Sequence, residues 1–258
     1  MINIKTQAEI SAMREGGKIL AEILHELAIA TKIGMTTDDL NTKAEALMSK
    51  FNVDPSFKGY HGFPRSLCTS INEEVVHAIP GKRTLNDGDI ISIDCAIIHK
   101  GMHTDAAVTV MLGNTPTLVK KFVNTVGKTF DKIIPLIRPG NHIGDISNAI
   151  QQWIEGNGYS VVRDFVGHGV GKNLHEEPEV PNCGKKGSGP ILIPGMAIAI
   201  EPIIAMGQRF VKTLSDGWTA VTKDNEAACQ IEHTFLITTA GNEVLTKYSN
   251  TTNCIYPQ

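Results

Sequence analysis

GDIISIDCAIIHKGMHTDAAVTV, residues 88–110, is the stretch on which the architecture turns. Two apolar, β-branched runs flank Lys100-Gly101, a turn signal, so the segment reads as a β-hairpin. Each arm carries an acid where acids are depleted, Asp94 in DIISIDCAII and Asp105 in GMHTDAAVTV. The hairpin brings the two carboxylates close together across the strands. An ionised carboxylate taken out of water is costly unless a cation compensates it.

The same anomaly recurs downstream. Glu201 sits in MAIAIEPII, Glu232 in CQIEHTFLI, and His168 in VGHGVG among Gly167, Gly169 and Gly171, where the backbone can approach a ligand closely. Taken singly, each has an ordinary reading: a solvated strand acid for Glu201 or Glu232, edge-strand aspartates for Asp94 and Asp105, a hydrogen-bonded structural imidazole for His168. The ensemble is the specific signal. Four carboxylates cannot be neutralised by one histidine, and if they converge a pair of divalent cations carries about the missing charge. A carboxylate-rich set with one imidazole suits Mn²⁺, Fe²⁺ or Co²⁺ better than thiolate-loving metals, with Zn²⁺ still open. Two such ions lower the pKa of water and polarise a carbonyl, which points to hydrolysis.

Working outward, the first arm has a counterpart. GDIISID (residues 88–94) matches GMAIAIE (195–201): a turn glycine, five mostly apolar residues, then an acid. KIGMTTDDL (32–40) matches RPGNHIGDI (138–146), and GYHGF (59–63) matches VGHGV (166–170), aligning His61 with His168. The three matches keep one order and one offset of 106 or 107 positions. This is an internal duplication, about 1–112 and 113–258, and a period this long indicates fused half-domains rather than a solenoid.

Each half opens with helices. Thr6-x-x-Glu9 is a capping-box pattern ahead of Ile10, Met13, Gly17, Leu20, Leu24 and Leu27 at helical spacing. Thr36-x-x-Asp39 starts a second helix with Leu40, Ala44, Leu47, Met48 and Phe51 on one face. Pro116 marks a helix start in the second half, and 143–154 repeat the plan. Strands are expected at 66–77, 90–98, 103–111, 159–166, 197–204, 218–222 and 230–238. Asn86-Asp87-Gly88, Lys100-Gly101 and Pro194-Gly195 read as hairpin signals, and CGKKGSGP (183–190) as a surface loop. The class is α+β, a single domain over 1–258 built from two halves.

Composition bounds the rest. The 258 residues are 41% hydrophobic, enough for a substantial core, and the net charge of −3 argues against an electrostatic stripe for nucleic acid. No signal peptide is visible, and Asp94 and Glu201 interrupt the two greasiest segments before either reaches a membrane span. Cys68, Cys95, Cys183, Cys229 and Cys254 are odd in number without close pairing, as in a cytoplasmic protein with reduced thiols.

The motifs GYHGFPRSLCTSINEEVVHAIP, GDIISID, GHGVGKNLHEEP, PGMAIAIEP and TKDNEAACQIEHT occur in that order, and through them the chain resembles the bacterial-type (type I) methionine aminopeptidases over nearly its entire length. The resemblance implies a pita-bread fold: two pseudo-twofold-related lobes around a curved, mainly antiparallel sheet covered by helices. It implies two divalent metal ions held by Asp94, Asp105, His168, Glu201 and Glu232, with Asp105 and Glu232 shared between them. Glu201 would serve as general base and then acid, His175 would stabilise the oxyanion, and His77 would hydrogen-bond the scissile amide. Tyr60, Phe63, Cys68, Leu174 and Trp218 would line the pocket for a methionine side chain. The implied substrate is the N-terminus of a newly made polypeptide whose second residue is small. The implied enzyme is a cytoplasmic monomer, without membrane or specific nucleic-acid binding, whose body makes any transient ribosome contact.

The chain departs from that pattern at several places. Leu174 stands where the family usually has Phe, Phe63 where Tyr is common, and Ala96, Ala106 and Ala107 where relatives often supply hydroxyls. These changes imply a competent but slower enzyme with weaker metal binding. Two rival readings share the fold: an X-Pro peptidase or creatinase-like hydrolase, whose members usually carry a further N-terminal domain, and a non-catalytic binding module, whose members lose ligands. The bulky Ile2 after Met1 should also block removal of this chain's own initiator.

Overall fold

Threonine starts both opening helices. In the computed structural model, which describes residues 2–247 and the strand Cys254–Ile255, the Thr6 hydroxyl accepts from Glu9 N–H while the Glu9 carboxylate accepts from Thr6 N–H at 2.8 Å. Thr36 and Asp39 make the same reciprocal pair. The outer limits of the expected domain and the Cys254 thiol lie outside the described residues; Cys68, Cys95, Cys183 and Cys229 are free thiols.

The first half runs through α1 (Gln7–Ala30), α2 (Thr37–Phe51), β1 (Asp54–Pro55), β2 (Cys68–Ile71), β3 (Glu74–Val76), β4 (Ile90–His99) and β5 (Met102–Met111). The second opens with α3 (Thr117–Gly127), α4 (Thr129–Ile133) and α5 (Ile143–Gly156). Its strands are β6 (Ser160–Val161), β7 (Gly167–Gly169), β8 (Glu176–Val180), β9 (Ala197–Ile200), β10 (Ile203–Ala205), β11 (Val211–Thr213), β12 (Ala220–Thr222), β13 (Ala228–Gln230), β14 (His233–Thr238), β15 (Gly241–Val244) and β16 (Cys254–Ile255).

One five-stranded sheet runs β1-β4-β5-β16 with β2 also on β4, and the other runs β15-β14-β9-β7-β8. Two three-stranded sheets, β13-β10-β6 and β11-β12-β3, complete the framework. An antiparallel bridge between Ala107 and Glu232 ties the first half to the second. Leu20, Leu24, Leu27 and Leu40 from α1 and α2 pack with Ile91, Ile93 and Ile97 of β4. Phe122, Phe130, Ile150 and Ile154 from α3–α5 pack with Ile198 of β9 and Phe235 of β14. Helices packed over antiparallel sheet are the α+β class expected.

A few backbone contacts recur at an offset of 106 or 107 positions. Thr36 bridges Thr84 as His142 bridges Ile191. Gly34 N–H donates to Leu85 O at 2.8 Å, and Gly140 N–H donates to Leu192 O at 3.0 Å. Gly34 and Gly140 share φ near 90°, and Gly88 and Gly195 share φ near 92°, a conformation open to glycine. The His61–His168 match has no such echo: His61 sits in a short 3₁₀ turn at φ 47°, His168 in a strand.

Four expectations need correcting, the first being the strand at 66–77, which is two strands, Cys68–Ile71 and Glu74–Val76, parted by a turn at Asn72 and Glu73. Of the three turn signals, only Lys100-Gly101 joins paired strands, both residues left-handed at φ 50° and 76°. Asn86-Asp87-Gly88 and Pro194-Gly195 lead into β4 and β9 from segments that make only isolated bridges. The expected strand at 159–166 reduces to Ser160–Val161, since Arg163 and Asp164 belong to no ladder. The expected strand at 197–204 breaks after Ile200, because Pro202 has no N–H to donate. Among the described residues no helix is long and apolar enough to cross a membrane.

Gly17 shows how tightly α1 is seated. A β-carbon there would run into the Leu245 carbonyl, a backbone atom with no rotamer to yield. The Gly17→Ala variant therefore melts at lower temperature. Overpacking of about 1–3 kcal/mol outweighs the helix preference of alanine, about 1 kcal/mol. Thermal unfolding by circular dichroism reads the difference, and an unchanged or raised midpoint would contradict the packing argument.

Candidate metal centre and adjoining pocket

The β4–β5 register pairs Asp94 with Ala107 and Ala96 with Asp105, so both aspartates project from one face of the hairpin, diagonal to each other. The Ala107–Glu232 bridge brings Glu232 alongside them. β7 pairs with β9, and this sets His168 beside the end of the strand that leads into Glu201. Asp105, His168 and Glu232 each offer a ligand atom, all within 4.8 Å of one another. His168 Nε2 lies 3.8 Å from Asp105 Oδ2 and 3.8 Å from Glu201 Oε1.

Protonation sharpens the picture. His168 Nδ1 is 2.9 Å from the Gly169 carbonyl, which can only accept, so Nδ1 carries the proton and the Nε2 lone pair faces the acids. Burial, then His175 nearby, lowers the His168 pKa to about 3, so the ring is neutral. A lone pair aimed at carboxylate oxygens is repulsive unless a proton or a metal cation stands between them. The carboxyls agree. Burial raises Asp94 to about 7, against the hydrogen bond from Gln230. Burial followed by neighbouring acids raises Asp105 and Glu232 well above the carboxylate range, and burial with Asp94 does the same for Glu201.

Three carboxylate oxygens, Asp94 Oδ1, Asp105 Oδ1 and Glu232 Oε1, are buried without a hydrogen-bond partner. Orphaned buried acceptors around one neutral imidazole are what a divalent cation requires, so the donor set fits divalent metal. Gly167 and Gly169 leave no space for a β-carbon, which would strike the Ala199 and Glu177 carbonyls, and this lets β7 lie close between its neighbours.

A cavity of about 90 Å³ opens against these acids, lined by Phe57, Tyr60, Phe63, Cys68, Leu174 and Trp218 together with His77 and His175. Phe63 stands edge-on to Trp218 with ring centres 5.1 Å apart. Cys68 enters because β2 pairs it with Asp94; burial and the nearby acids keep its thiol protonated. His77, at φ 59°, is lowered to about 4 by burial and by His175. Tyr60 Oη lies 2.8 Å from His175 Nδ1, and the His175 ring meets that of His168 edge-on at 4.3 Å. A larger groove of about 490 Å³ lies along Glu45, Met48, Asn52 and Lys58 and shares no residue with the acids.

The structure thus gathers Asp94, Asp105, His168, Glu201, Glu232, His77 and His175 with Tyr60, Phe63, Cys68, Leu174 and Trp218 around one cavity. Sequence reasoning passed over two buried amides beside them. Gln230 Nε2 reaches Asp94 Oδ2 at 3.3 Å and Glu201 Oε2 at 3.4 Å, and Asn182 Nδ2 donates to the Glu201 carbonyl at 2.8 Å. Gln230 carried a visible signal, a polar residue inside the apolar run ACQIE. Phe57 carried none.

Residues 11–239 match metallopeptidase family M24. The chain is 49% identical to a methionine aminopeptidase of Clostridium acetobutylicum, over 95% of this chain and 99% of that protein. It superimposes on the crystal structure of methionine aminopeptidase from Thermotoga maritima with a TM-score of 0.94 at 43% identity, over 96% of this chain and 100% of the other. A prolidase from Pyrococcus horikoshii shares the fold alone, with a TM-score of 0.77 at 22% identity over 95% of this chain and 64% of the other.

Proposed function

The chain belongs to metallopeptidase family M24, and from that premise we propose that it removes the initiator methionine from polypeptides whose second residue is small. Its fold is the pita-bread fold of that family, α+β with antiparallel sheet. The observation that carries the reading is one cavity joining an apolar, thioether-sized recess to a cluster of buried acids. Near-full-length likeness to methionine aminopeptidases supports it.

In this reading residues 1–258 form one catalytic unit of two halves, about 1–112 and 113–258, which the recurring Gly34 and Gly140 turns support. Asp94, Asp105, His168, Glu201 and Glu232 hold two divalent ions, with manganese, iron(II) or cobalt fitting the ligands best. Ions held there supply positive charge that acidifies water and polarises a carbonyl. Phe63, Cys68, Leu174 and Trp218 seat the methionine side chain, and the recess excludes water from the scissile bond. Glu201 takes the proton of the attacking water and returns it to the leaving amine. His175 donates to the carbonyl oxygen as charge develops on it, with Tyr60 holding its other ring nitrogen. His77, neutral through burial, hydrogen-bonds the scissile amide. The substrates are N-termini of new polypeptides in the cytoplasm, met by a monomer whose body makes any contact with the ribosome.

The test is release of methionine from Met-Ala-Ser by the purified protein supplied with Mn²⁺ or Co²⁺. A Met-Ile-Ser peptide and an Ala-Pro-Ser peptide run alongside. Release from Met-Ala-Ser with neither of the others cut is the expected result. Preference for Ala-Pro-Ser would replace the reading with an X-Pro peptidase.

A further inference from the structure

His175 lies in the irregular link between β7 and β8, with no strand pairing of its own. We propose that Lys5 and Glu176 form a buried ionic latch through which the N-terminal arm positions His175 for the reaction. The proposal rests on the function assigned above and adds a residue from the start of the chain, Lys5, as a positioning group.

Lys5 Nζ donates to Glu176 Oε2 at 2.7 Å, and both side chains are 3% exposed. The other oxygen of Glu176 accepts from Asn173 N–H at 3.1 Å, which closes the turn that holds Leu174 and His175. Lys5 is itself fixed at two further points. Its backbone N–H donates to the Gly195 carbonyl at 2.9 Å, and its ammonium also donates to the Asn3 carbonyl at 3.2 Å. Gly195 opens the segment that runs through β9 to Glu201. One lysine therefore fastens the turn carrying His175 to the start of the strand that delivers Glu201.

The packing leaves the latch no slack. A β-carbon on Gly171 would meet the Lys5 side chain and Glu176 Oε1, so the chain passes directly over the pair. The Gly171 carbonyl accepts from His103 N–H at 2.7 Å, which anchors the start of the link on β5. Glu9 and Lys172 add a second tie at 2.8 Å, but Lys172 is 72% exposed and solvent weakens it.

Stability alone does not account for the pair. A buried ion pair roughly breaks even against apolar residues of the same volume, whereas it permits one geometry and resists others. Tyr60, which also lines the cavity, holds Nδ1 of His175. Between the phenol and the latch, the imidazole is gripped through its ring and through its backbone. Misplacing a reacting group by about 1 Å costs on the order of 100-fold in rate.

The experiment compares wild type, Lys5→Met and the paired Lys5→Met/Glu176→Met in the full chain. The paired variant leaves no lone buried charge and so guards against simple unfolding. The latch predicts a kcat for Met-Ala-Ser lowered about 10- to 100-fold in both variants. KM and bound metal per chain stay near wild type. In metal-free protein, amide hydrogen exchange at residues 172–176 quickens in both variants. A variant that is folded at the assay temperature and has wild-type kcat and wild-type exchange overturns the proposal. So does a raised KM at unchanged kcat. If Lys5→Met alone is unfolded, the paired variant decides. Wild type that releases no methionine defeats the assigned function instead, and the exchange measurement still judges the latch.

Discussion

Glu201→Gln lowers kcat for Met-Ala-Ser by about 10²- to 10⁴-fold, the range that a positioned acid–base group supplies. Glutamine keeps the length and planarity of the side chain, and its carbonyl oxygen can still accept from Gln230 Nε2, now 3.4 Å from Glu201 Oε2. What it cannot do is accept a proton. The substitution therefore separates proton transfer from shape. It also weakens a ligand proposed for the metal, since Glu201 Oε1 faces His168 Nε2 at 3.8 Å, so bound metal must be measured on the same samples. Assays at saturating Mn²⁺, with metal per chain determined by mass spectrometry, give kcat at matched occupancy. The expected pattern is a collapsed kcat, a KM within a few fold of wild type, and an apolar recess that still binds methionine. A kcat within tenfold of wild type at matched occupancy would remove Glu201 from the proton-transfer role and leave it as a ligand only.

How much of this could be read from the chain depends on where local chemistry and tertiary context agree. The opening helices were legible because their caps are local. Thr6 with Glu9 and Thr36 with Asp39 satisfy orphan helix N–H groups without help from elsewhere. At α5 the Asp145 carboxylate accepts from the N–H of His142, so the helix starts where the sequence expected despite an unusual cap. The long hairpin was legible for a similar reason: Lys100-Gly101 supplies the left-handed turn, and β4 and β5 keep their apolar pattern over ten residues each. Two short, polar strands were not. Glu176–Val180 in β8 is polar and half exposed, and Val211–Thr213 in β11 lies mostly in solvent. Their pairing is imposed by neighbours, so no run of residues announces it.

The acids were conspicuous because each violates its surroundings: Asp94, Asp105 and Glu232 are buried in strand or bridge segments rich in apolar side chains. The pocket carries no such contradiction. Phe57, Phe63 and Leu174 belong to an ordinary apolar cluster with Ala96, and only its position against the acids gives it meaning. Ala96 and Ala107 lie directly opposite Asp105 and Asp94, so neither side chain can donate to the aspartates it faces. Gln230 donates to Asp94 instead, from the second half of the chain. That compensation crosses the fold, which is why the sequence showed the missing hydroxyls and not their replacement.

Removing the metal should abolish activity and expose a pH dependence whose sign follows from the pKa shifts. In the metal-free fold Asp94 rises from 3.8 to about 7, and Asp105, Glu201 and Glu232 rise as well. A carboxyl raised on folding is more easily protonated in the native state than in the unfolded chain. Stability then falls as pH climbs from the ordinary carboxylate range through the raised value. The histidines act in the opposite sense, because His77 and His168 are lowered from 6.5 to about 4 and about 3, and His175 is lowered too. They cost stability only as pH drops below 6.5, where the unfolded chain takes up protons and the native state does not. Above pH 6.5 they are neutral in both states, and the carboxyls alone remain. In that window the metal-free protein loses stability with every step upward: Asp94 completes only the last part of its loss as pH passes 7, and the more strongly raised Asp105, Glu201 and Glu232 carry the rest. Divalent ions replace the protons and cancel the penalty, and they bind more tightly as protons leave. Melting temperatures of chelator-treated and Mn²⁺-supplemented protein should therefore diverge progressively between pH 6.5 and pH 8. The supplemented samples should change little. A gap that stays constant across that range, or a chelated protein as stable at pH 8 as at pH 6.5, would mean that the four acids do not share one dry, cation-dependent site.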